Sequence, residues 1–505
     1  MTIGSTETPN SNRQFSALEI GPSGNMMIYG NSGVLAPKRA KSVVTKEQLT
    51  ARDAVFVYDE TERHPSNIVA VYIFDATGSE PVDTVAVLRW ARARLGFAPL
   101  FQRRLRRVPM DLDLPYWVPD PAFDIAEHVV VEPSGSHWDF VRSRLAEMAT
   151  APMDLTRPPW QIQVFDGVRA VPGIPGDATV IALKFHHSAG DGVATRELEL
   201  ELFGGQEASA APTAGRWSAA VAAVRAAMLF PYRSGRFAFG LSRTRAADAA
   251  ARARIEAGIL HEPPPTRPAT RFNRTIGATP SVEQIFLPLP EVTALRARCG
   301  ERVTVNDVML TVVSGALAAY LGEQGETPPS ALAAMVPMSM RGIAQWDSAN
   351  QLSQMTVDLH TDQPDPRARL AAIRESVRRE RRRHSDPAVL RHAARVDTAP
   401  AWLLRLAGRA RAHRSFADAT SIPLSNTTIS NVAPLGADLT FLGAPLLRVF
   451  GVLPILDGDG LRHLITSQGP EIVLTFSVDA AMMPDPDRYR ELLRESFREL
   501  VTAIG

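Results

Sequence analysis

The chain has 505 residues, 55 of them basic and 54 acidic, for a formal net charge of +1. That balance supplies no long-range pull toward nucleic acid, and the length exceeds what one hydrophobic core serves, so two or more domains are expected. The single cysteine, Cys299, excludes an internal disulfide and a cysteine metal cluster and fits a reducing cytoplasm.

Residues 1–44 are rich in Gly, Ser, Asn and Thr and lack the basic-then-apolar order of a signal peptide. They read as a flexible N-terminal extension, or in part as a misassigned start with Met26 or Met27 as alternatives. Over 45–205 strand and helix patterns mix. The run 67–74 (Asn-Ile-Val-Ala-Val-Tyr-Ile-Phe) is β-branched and aromatic, a strand signature. The spacing over 83–95 predicts a helix with Val87, Leu88 and Ala91 on one side, and 140–148 a second. Strands are predicted at 160–165 and 178–185.

Composition shifts over 206–271. Two Ala-rich, Arg-dotted segments, 217–229 and 245–259, predict helices, and Pro263-Pro264-Pro265 closes a stretch read as a helical linker. Over 272–505 strands are predicted at 283–287, 332–338, 356–360, 427–431 and 472–478, and helices at 305–321 and 487–504. No stretch reaches the roughly 18 uncharged apolar residues that a membrane span needs; the nearest, 303–321, contains Asn306 and Asp307. Two α+β halves of similar size joined by a linker place a site between them.

The most informative residues are His186-His187-Ser188-Ala189-Gly190-Asp191-Gly192, which follow the apolar run 180–185. Neighbouring side chains on a strand point to opposite faces, so at most one of the two histidines lines a given cavity. An imidazole is suited to removing a hydroxyl proton near neutral pH. Asp191 could bond a ring nitrogen directly or brace the loop through an arginine, and Gly190 and Gly192 permit tight backbone geometry close to a bulky substrate. A His-His-Asp set could also bind metal, but opposite-facing histidines make poor co-ligands and no third ligand cluster appears, so no metal site is expected. A serine hydrolase would need Gly-x-Ser-x-Gly on a strand-to-helix turn, which is absent from the sequence.

The stretch His186 to Gly192 resembles the HHxxxDG signature of the CoA-dependent acyltransferase superfamily, which peptide-synthetase condensation domains and polyketide-associated acyltransferases share. Other segments resemble the bacterial wax ester synthase/diacylglycerol acyltransferase family in that family's order. They are Leu49-Thr50-Ala51-Arg52-Asp53-Ala54-Val55-Phe56, Pro158-Pro159-Trp160, Asn306-Asp307-Val308, Val336-Pro337-Met338-Ser339-Met340-Arg341 with Asn350, and Ser430-Asn431-Val432. The sequence departs from the family pattern at Ser66-Asn67-Ile68-Val69, at Pro159, at Ala349 before Asn350, and at Ala433-Pro434-Leu435. These departures bear on acceptor choice and level of activity more than on reaction class.

The resemblance implies an α+β fold of two chloramphenicol-acetyltransferase-like subdomains with mixed sheets, joined by the helical linker, with the active site in the tunnel between them. It implies transfer of a fatty acyl group from acyl-CoA, a co-substrate and not a resident cofactor, to diacylglycerol or a long-chain alcohol. His187 would be the general base and His186 a packing or hydrogen-bonding residue. Asp191 would orient the loop with Arg341 as its partner, and Gly192 would support the turn. Asn306 would donate to the oxyanion or merely cap its helix. The runs Arg103–Arg107 and Arg378–Arg383 are candidates for CoA phosphates as well as ordinary solvated faces. Because acceptor and product are insoluble in water, a peripheral contact with a membrane or lipid droplet is expected, through 217–245 or 402–414, in a cytoplasmic protein beside the inner membrane or lipid inclusions. Two alternatives stay open: a condensation-type enzyme using a carrier-bound donor, and a lipid-binding homologue with a weakened site.

Overall fold

The computed structural model describes residues 48–505, apart from 79, 96–98, 205–216, 300–302, 415, 417–422 and 433–437. The proposed extension over 1–44 and the departure at 433–435 lie outside the described residues.

The first half begins with α1 (Ala51–Asp59), whose N-cap Thr50 accepts from the Asp53 backbone. Strand β1 (Asn67–Asp75) and helix α2 (Thr84–Arg94) follow, then a small hairpin of β2 (Arg103–Arg106) and β3 (Tyr116–Pro119). Next come β4 (Val129–Glu132), α3 (Trp138–Thr150), β5 (Trp160–Val168), β6 (Ala178–His186) and α4 (Gly192–Phe203). Helix α5 (Ala219–Glu256) is a single 38-residue helix where the sequence predicted two. It runs through Pro231, and both Pro231 and Ala227, whose carbonyl the proline leaves without its helical donor, are exposed to water that can serve that oxygen.

The second half holds β7 (Pro280–Pro288), α6 (Leu289–Arg298), α7 (Val305–Glu323), β8 (Ala333–Ser339) and β9 (Leu352–Asp358). Strand β9 begins earlier than 356 and stops before His360, whose φ of 47° is incompatible with a strand. Helices α8 (Pro366–His384), α9 (Pro387–Ala393) and α10 (Ala401–Ala412) then lead to β10 (Thr427–Asn431), β11 (Thr440–Phe441), β12 (Ala444–Val452), β13 (Leu461–Gln468), β14 (Glu471–Asp479) and α11 (Pro486–Ile504).

Two six-stranded mixed sheets result, ordered β11-β12-β1-β6-β5-β4 and β7-β14-β13-β10-β8-β9. Although 272–505 reads as one unit from sequence, residues 440–452 cross over and supply β11 and β12 to the first sheet, where β12 lies antiparallel to β1. The crossover needs Gly451: a Cβ there would sit 2.3 Å from Leu464 Cδ2 and 3.1 Å from the Val69 carbonyl. Gly408 does the same for α10, since a Cβ would collide with the Tyr58 carbonyl at the end of α1.

Strand β6 is buried along its whole length because it is covered on both faces, which is why it reads as a mostly apolar run, with the buried Lys184 donating to the Ala151 carbonyl. Ile181, Leu183 and Phe185 pack with α1, α2 and α4, whereas Val180 and Ala182 pack toward α3, Val282 and Val473. Helix α7 is long and apolar enough to cross a bilayer by length and composition, yet it is the central core helix of the second half, with Val308, Met309, Leu310, Val312 and Val313 all fully buried.

Candidate functional site

The strand parity of β6 ends at His186, and His187 opens a single 3-10 turn over His187–Ala189. The two imidazoles therefore part company. His186 is fully buried. Its Nδ1 accepts from the Ser188 backbone N–H at 3.2 Å and lies 2.7 Å from the Ser188 hydroxyl. The ring proton then sits on Nε2, 3.3 Å from the Glu60 carboxylate. His187 instead lines a cavity of about 840 Å³, within the size range of small-molecule sites. Its ring stacks on Phe56 of α1, with centroids 4.2 Å apart and planes 7° from parallel.

The backbone of His187 is held from both halves of the molecule. Its N–H donates to the Ser66 carbonyl at 2.7 Å, and its carbonyl accepts from Asn350 Nδ2 at 2.8 Å. Asn350 is itself set by Asp53 of α1, whose Oδ1 accepts from the Asn350 backbone at 3.0 Å and side chain at 2.9 Å. Asp53 Oδ2 takes the Ala349 N–H and the Thr50 hydroxyl. Burial still holds the Asp53 carboxyl above the usual carboxylate range, with these hydrogen bonds pulling the other way. The position of α1 thus fixes Phe56 and Asn350 together on either side of the histidine.

Asp191 closes the turn. It is fully buried, and Arg341 grips it in a bidentate fork, Nη1 to Oδ2 at 2.8 Å and Nη2 to Oδ1 at 3.0 Å. The Gln351 N–H adds a third bond at 2.9 Å, and the Asp191 carbonyl accepts from Thr195 N at 2.9 Å in the first turn of α4. The aspartate side chain is thus joined to an arginine 150 positions away on the β8–β9 connection. Gly192, which also lines the cavity, leaves room for Val432: a Cβ there would sit 3.3 Å from Val432 Cγ2.

The cavity lies between the two sheets, with Val69 of β1 and Phe450 of β12 on one wall and Met335 of β8, Leu352 of β9 and Ser430 of β10 on the other. Burial pushes the His187 pKa down to about 4. Its own backbone carbonyl and the Asp191 charge oppose that shift, His186 adds to it, and the Asn350 amide also opposes it. A second buried histidine, His463, is pushed down to about 3 by burial and sits between the Thr427 hydroxyl at 3.1 Å and the Tyr489 hydroxyl at 3.0 Å.

Asn306 is not brought to this place. It is absent from the cavity lining, and α7 is capped by Thr304 and Asp307 in a reciprocal capping box. The capping role expected for Asn306 is therefore taken by its neighbours, because the N-terminus of α7 is already satisfied. The lining carries seven arginines, of which Arg52, Arg196, Arg383, Arg411 and Arg462 are paired with Asp397, Glu199, Glu380, Asp59 and Asp459, and the other two are Arg395 and Arg414. Of the run Arg378–Arg383 only Arg383 reaches the cavity, while Arg378 and Arg382 pair with Glu375. The run Arg103–Arg107 lies away from the lining, with Arg104 tied to Asp120 and Arg107 to Asp111. Sequence reasoning missed Asp53, Phe56 and Glu60 as individual site residues. The only signal for Asp53 and Phe56 was the resemblance carried by the segment 49–56, and Glu60 had none.

Comparison with known proteins gives one consistent result. The model of the wax ester synthase/diacylglycerol acyltransferase catalytic domain matches residues 49–309, and that of the WS/DGAT C-terminal domain matches residues 348–501. A putative diacylglycerol O-acyltransferase of Mycobacterium tuberculosis is 28% identical over 468 residues, covering 89% of this chain and 90% of the relative. Among solved structures, the wax ester synthase/diacylglycerol acyltransferase from Marinobacter aquaeolei VT8 aligns with a TM-score of 0.61 and 21% identity, over 91% of this chain and all of that one. The trichothecene 15-O-acetyltransferase of Fusarium sporotrichioides aligns at 0.54 and 13%, over 91% and 94%. At these identities the structural likeness is one of fold, and it agrees with the expected chloramphenicol-acetyltransferase-like α+β architecture.

Proposed function

The chain belongs to the wax ester synthase/diacylglycerol acyltransferase family, and on that premise we propose that this acyltransferase moves a fatty acyl group from acyl-CoA to the hydroxyl of diacylglycerol, and of long-chain alcohols, with His187 as general base. The observation that carries the reading is the placement of His187 on the wall of an inter-sheet cavity, clamped through its backbone and one ring face. The acceptor hydroxyl gives its proton to the imidazole as its oxygen bonds to the thioester carbonyl. When the tetrahedral adduct collapses, the C–S bond breaks and the departing thiolate recovers that proton, so no acyl-enzyme forms. A buried imidazole with pKa near 4 is unprotonated throughout the neutral range, and once protonated it yields the proton readily.

His186, Asp191, Arg341 and Gly192 act as positioning residues in this reading. No resident cofactor is required, because the thioester carries the activated acyl group. Arg395 and Arg414 on the lining suit the phosphates of the donor. Acceptor and product both partition into lipid, so the proposed setting is cytoplasmic, at the inner membrane or a lipid inclusion.

The test is direct. Purified protein incubated with labelled palmitoyl-CoA and either diacylglycerol or hexadecanol should yield labelled triacylglycerol or wax ester, resolved by separating the neutral lipids. Absence of product from free acyl-CoA, with product from a carrier-bound donor, would replace this reading with the condensation-type one.

The pH dependence follows from the same burial. The free-enzyme kcat/KM should stay level through pH 6.5 and fall only on approach to about pH 4, where His187 takes up a proton. Both His187 and His463 have folded pKa values below the unfolded 6.5, so the folded state binds fewer protons than the unfolded chain in that window. Their contribution to stability is complete above pH 6.5 and drains away as pH falls toward 4. An activity loss centred at 6.5 with the fold intact would contradict the low pKa assigned to the base.

A further inference from the structure

Helix α5 turns its side chains the wrong way round for a helix that only links two halves. A helix packed on a globular body normally buries its apolar stripe. Here the residues buried against the body are small, Ala222, Ala226, Thr244 and Ala247. The large apolar side chains point outward, with Val221 67%, Val224 55%, Met228 76%, Tyr232 67% and Phe239 62% exposed. At about 100° per residue these five positions fall within roughly 80° of one another, and they extend over roughly 27 Å of helix. Ala220, Val221, Val224, Met228 and Leu229 also enclose a shallow apolar hollow with Arg225 at its side.

Charge is arranged along the same face. Positions 225, 236 and 243, all arginine, share the arc of the helix next to the apolar stripe, and no Asp or Glu occurs between Ala219 and Ala247. Arg225 reaches the Tyr116 hydroxyl, Arg236 the Asp397 carbonyl, and Arg243 lies over the Phe239 ring at 5.7 Å. None of these three is neutralised by a described carboxylate. An outward apolar stripe edged by arginines complements an anionic lipid surface, with cations at headgroup depth and side chains among the upper acyl segments.

We infer that the Val221–Phe239 face of α5 is the surface by which this protein docks on anionic phospholipid. The inference rests on the proposed lipid reaction only for why such a surface is useful; its chemistry is read from the helix itself. Helix α5 packs on α9 and on the turn Ala394–Thr398, and Ala393, Arg395 and Val396 from those elements line the cavity that holds His187. The face is therefore separated from the cavity wall by one layer of structure.

The experiment uses the full chain and vesicles of phosphatidylcholine with or without phosphatidylglycerol, read by co-sedimentation. The protein should bind the phosphatidylglycerol vesicles preferentially and release them as salt rises. The triple variant Val224→Asp/Met228→Asp/Phe239→Asp should bind at least ~30-fold more weakly. All three positions are exposed, so folding is not at stake, and turnover of a water-soluble pair, a short-chain acyl-CoA with hexanol, should stay within about twofold. Equal vesicle binding by variant and parent overturns the proposal, as does a parent that ignores vesicles, or one whose oligomeric state rather than its vesicle binding changes in the variant. If the parent transfers no acyl group to any alcohol yet the variant loses vesicle binding, the docking face stands and the catalytic reading falls.

Discussion

Replacing His187 by alanine should lower kcat by ~10²–10⁴, the usual worth of a general base, while the protein stays folded. The fold should survive because the ring packs at a cavity wall, against Phe56, and leaves no void sealed inside the core. The backbone bonds from His187 to Ser66 and Asn350 do not involve the imidazole and persist in the variant. His186→Ala is the matched comparison. It removes a fully buried ring, leaves Ser188 and Glu60 without their partner, and should cost stability and soluble yield more than chemistry. Circular dichroism and turnover measured on the same preparations separate the two. A His187→Ala enzyme with near-parental kcat would remove the mechanism altogether, whereas a collapsed His187→Ala fold would show that the ring is structural.

Strand parity predicts that these adjacent side chains face apart, and they do, but the cause is different: the strand stops at His186 and the 3-10 turn opened by His187 separates the rings. Much of the fold was legible for equally local reasons. Strand β6 announces itself as a mostly apolar run because both its faces are covered, and β10 at Thr427–Asn431 falls where its β-branched residues place it. What escaped notice depends on partners far along the chain. Strand β12 reads poorly, since Pro445 and Leu447 are exposed and Gly451 carries no side chain, yet the strand is fixed by β1, with Val69 opposite Val452. Strand β13 beside it went unpredicted as well.

The same division runs through the site. The seven-residue core at 186–192 is contiguous and can be read directly, whereas the Asp53–Asn350 clamp joins residues 297 positions apart and only a family resemblance pointed to either segment. Asn306 is the instructive miss. Thr304-Val305-Asn306-Asp307 carries a cap residue followed three positions later by an acid, and that pattern assigns the helix start to Thr304 and Asp307. Reading the cap first would have left Asn306 with no special part in the helix terminus.

The second large effect concerns the fork between Arg341 and Asp191. Arg341→Met should destabilise the protein by ~3 kcal/mol, the lower end for stranding a buried charge. The lower end applies because Arg341 is 31% exposed and water offsets part of its loss, although Asp191 itself is sealed. The same variant should cut turnover by ~10²-fold, since a displacement of about 1 Å in the turn that carries His187 is enough to spoil alignment. Asp191→Asn removes the charge that needs a partner, so the double variant Asp191→Asn/Arg341→Met should regain much of the stability lost by Arg341→Met alone. It should not regain the rate, because the bidentate fork that fixes the turn is still missing, although Gln351 N–H retains an acceptor. Thermal melts and kcat on all four proteins complete the cycle. If the two single losses simply add in the double variant, the pair is not coupled, and the idea that the second half holds the His187 turn in place through Asp191 must be given up.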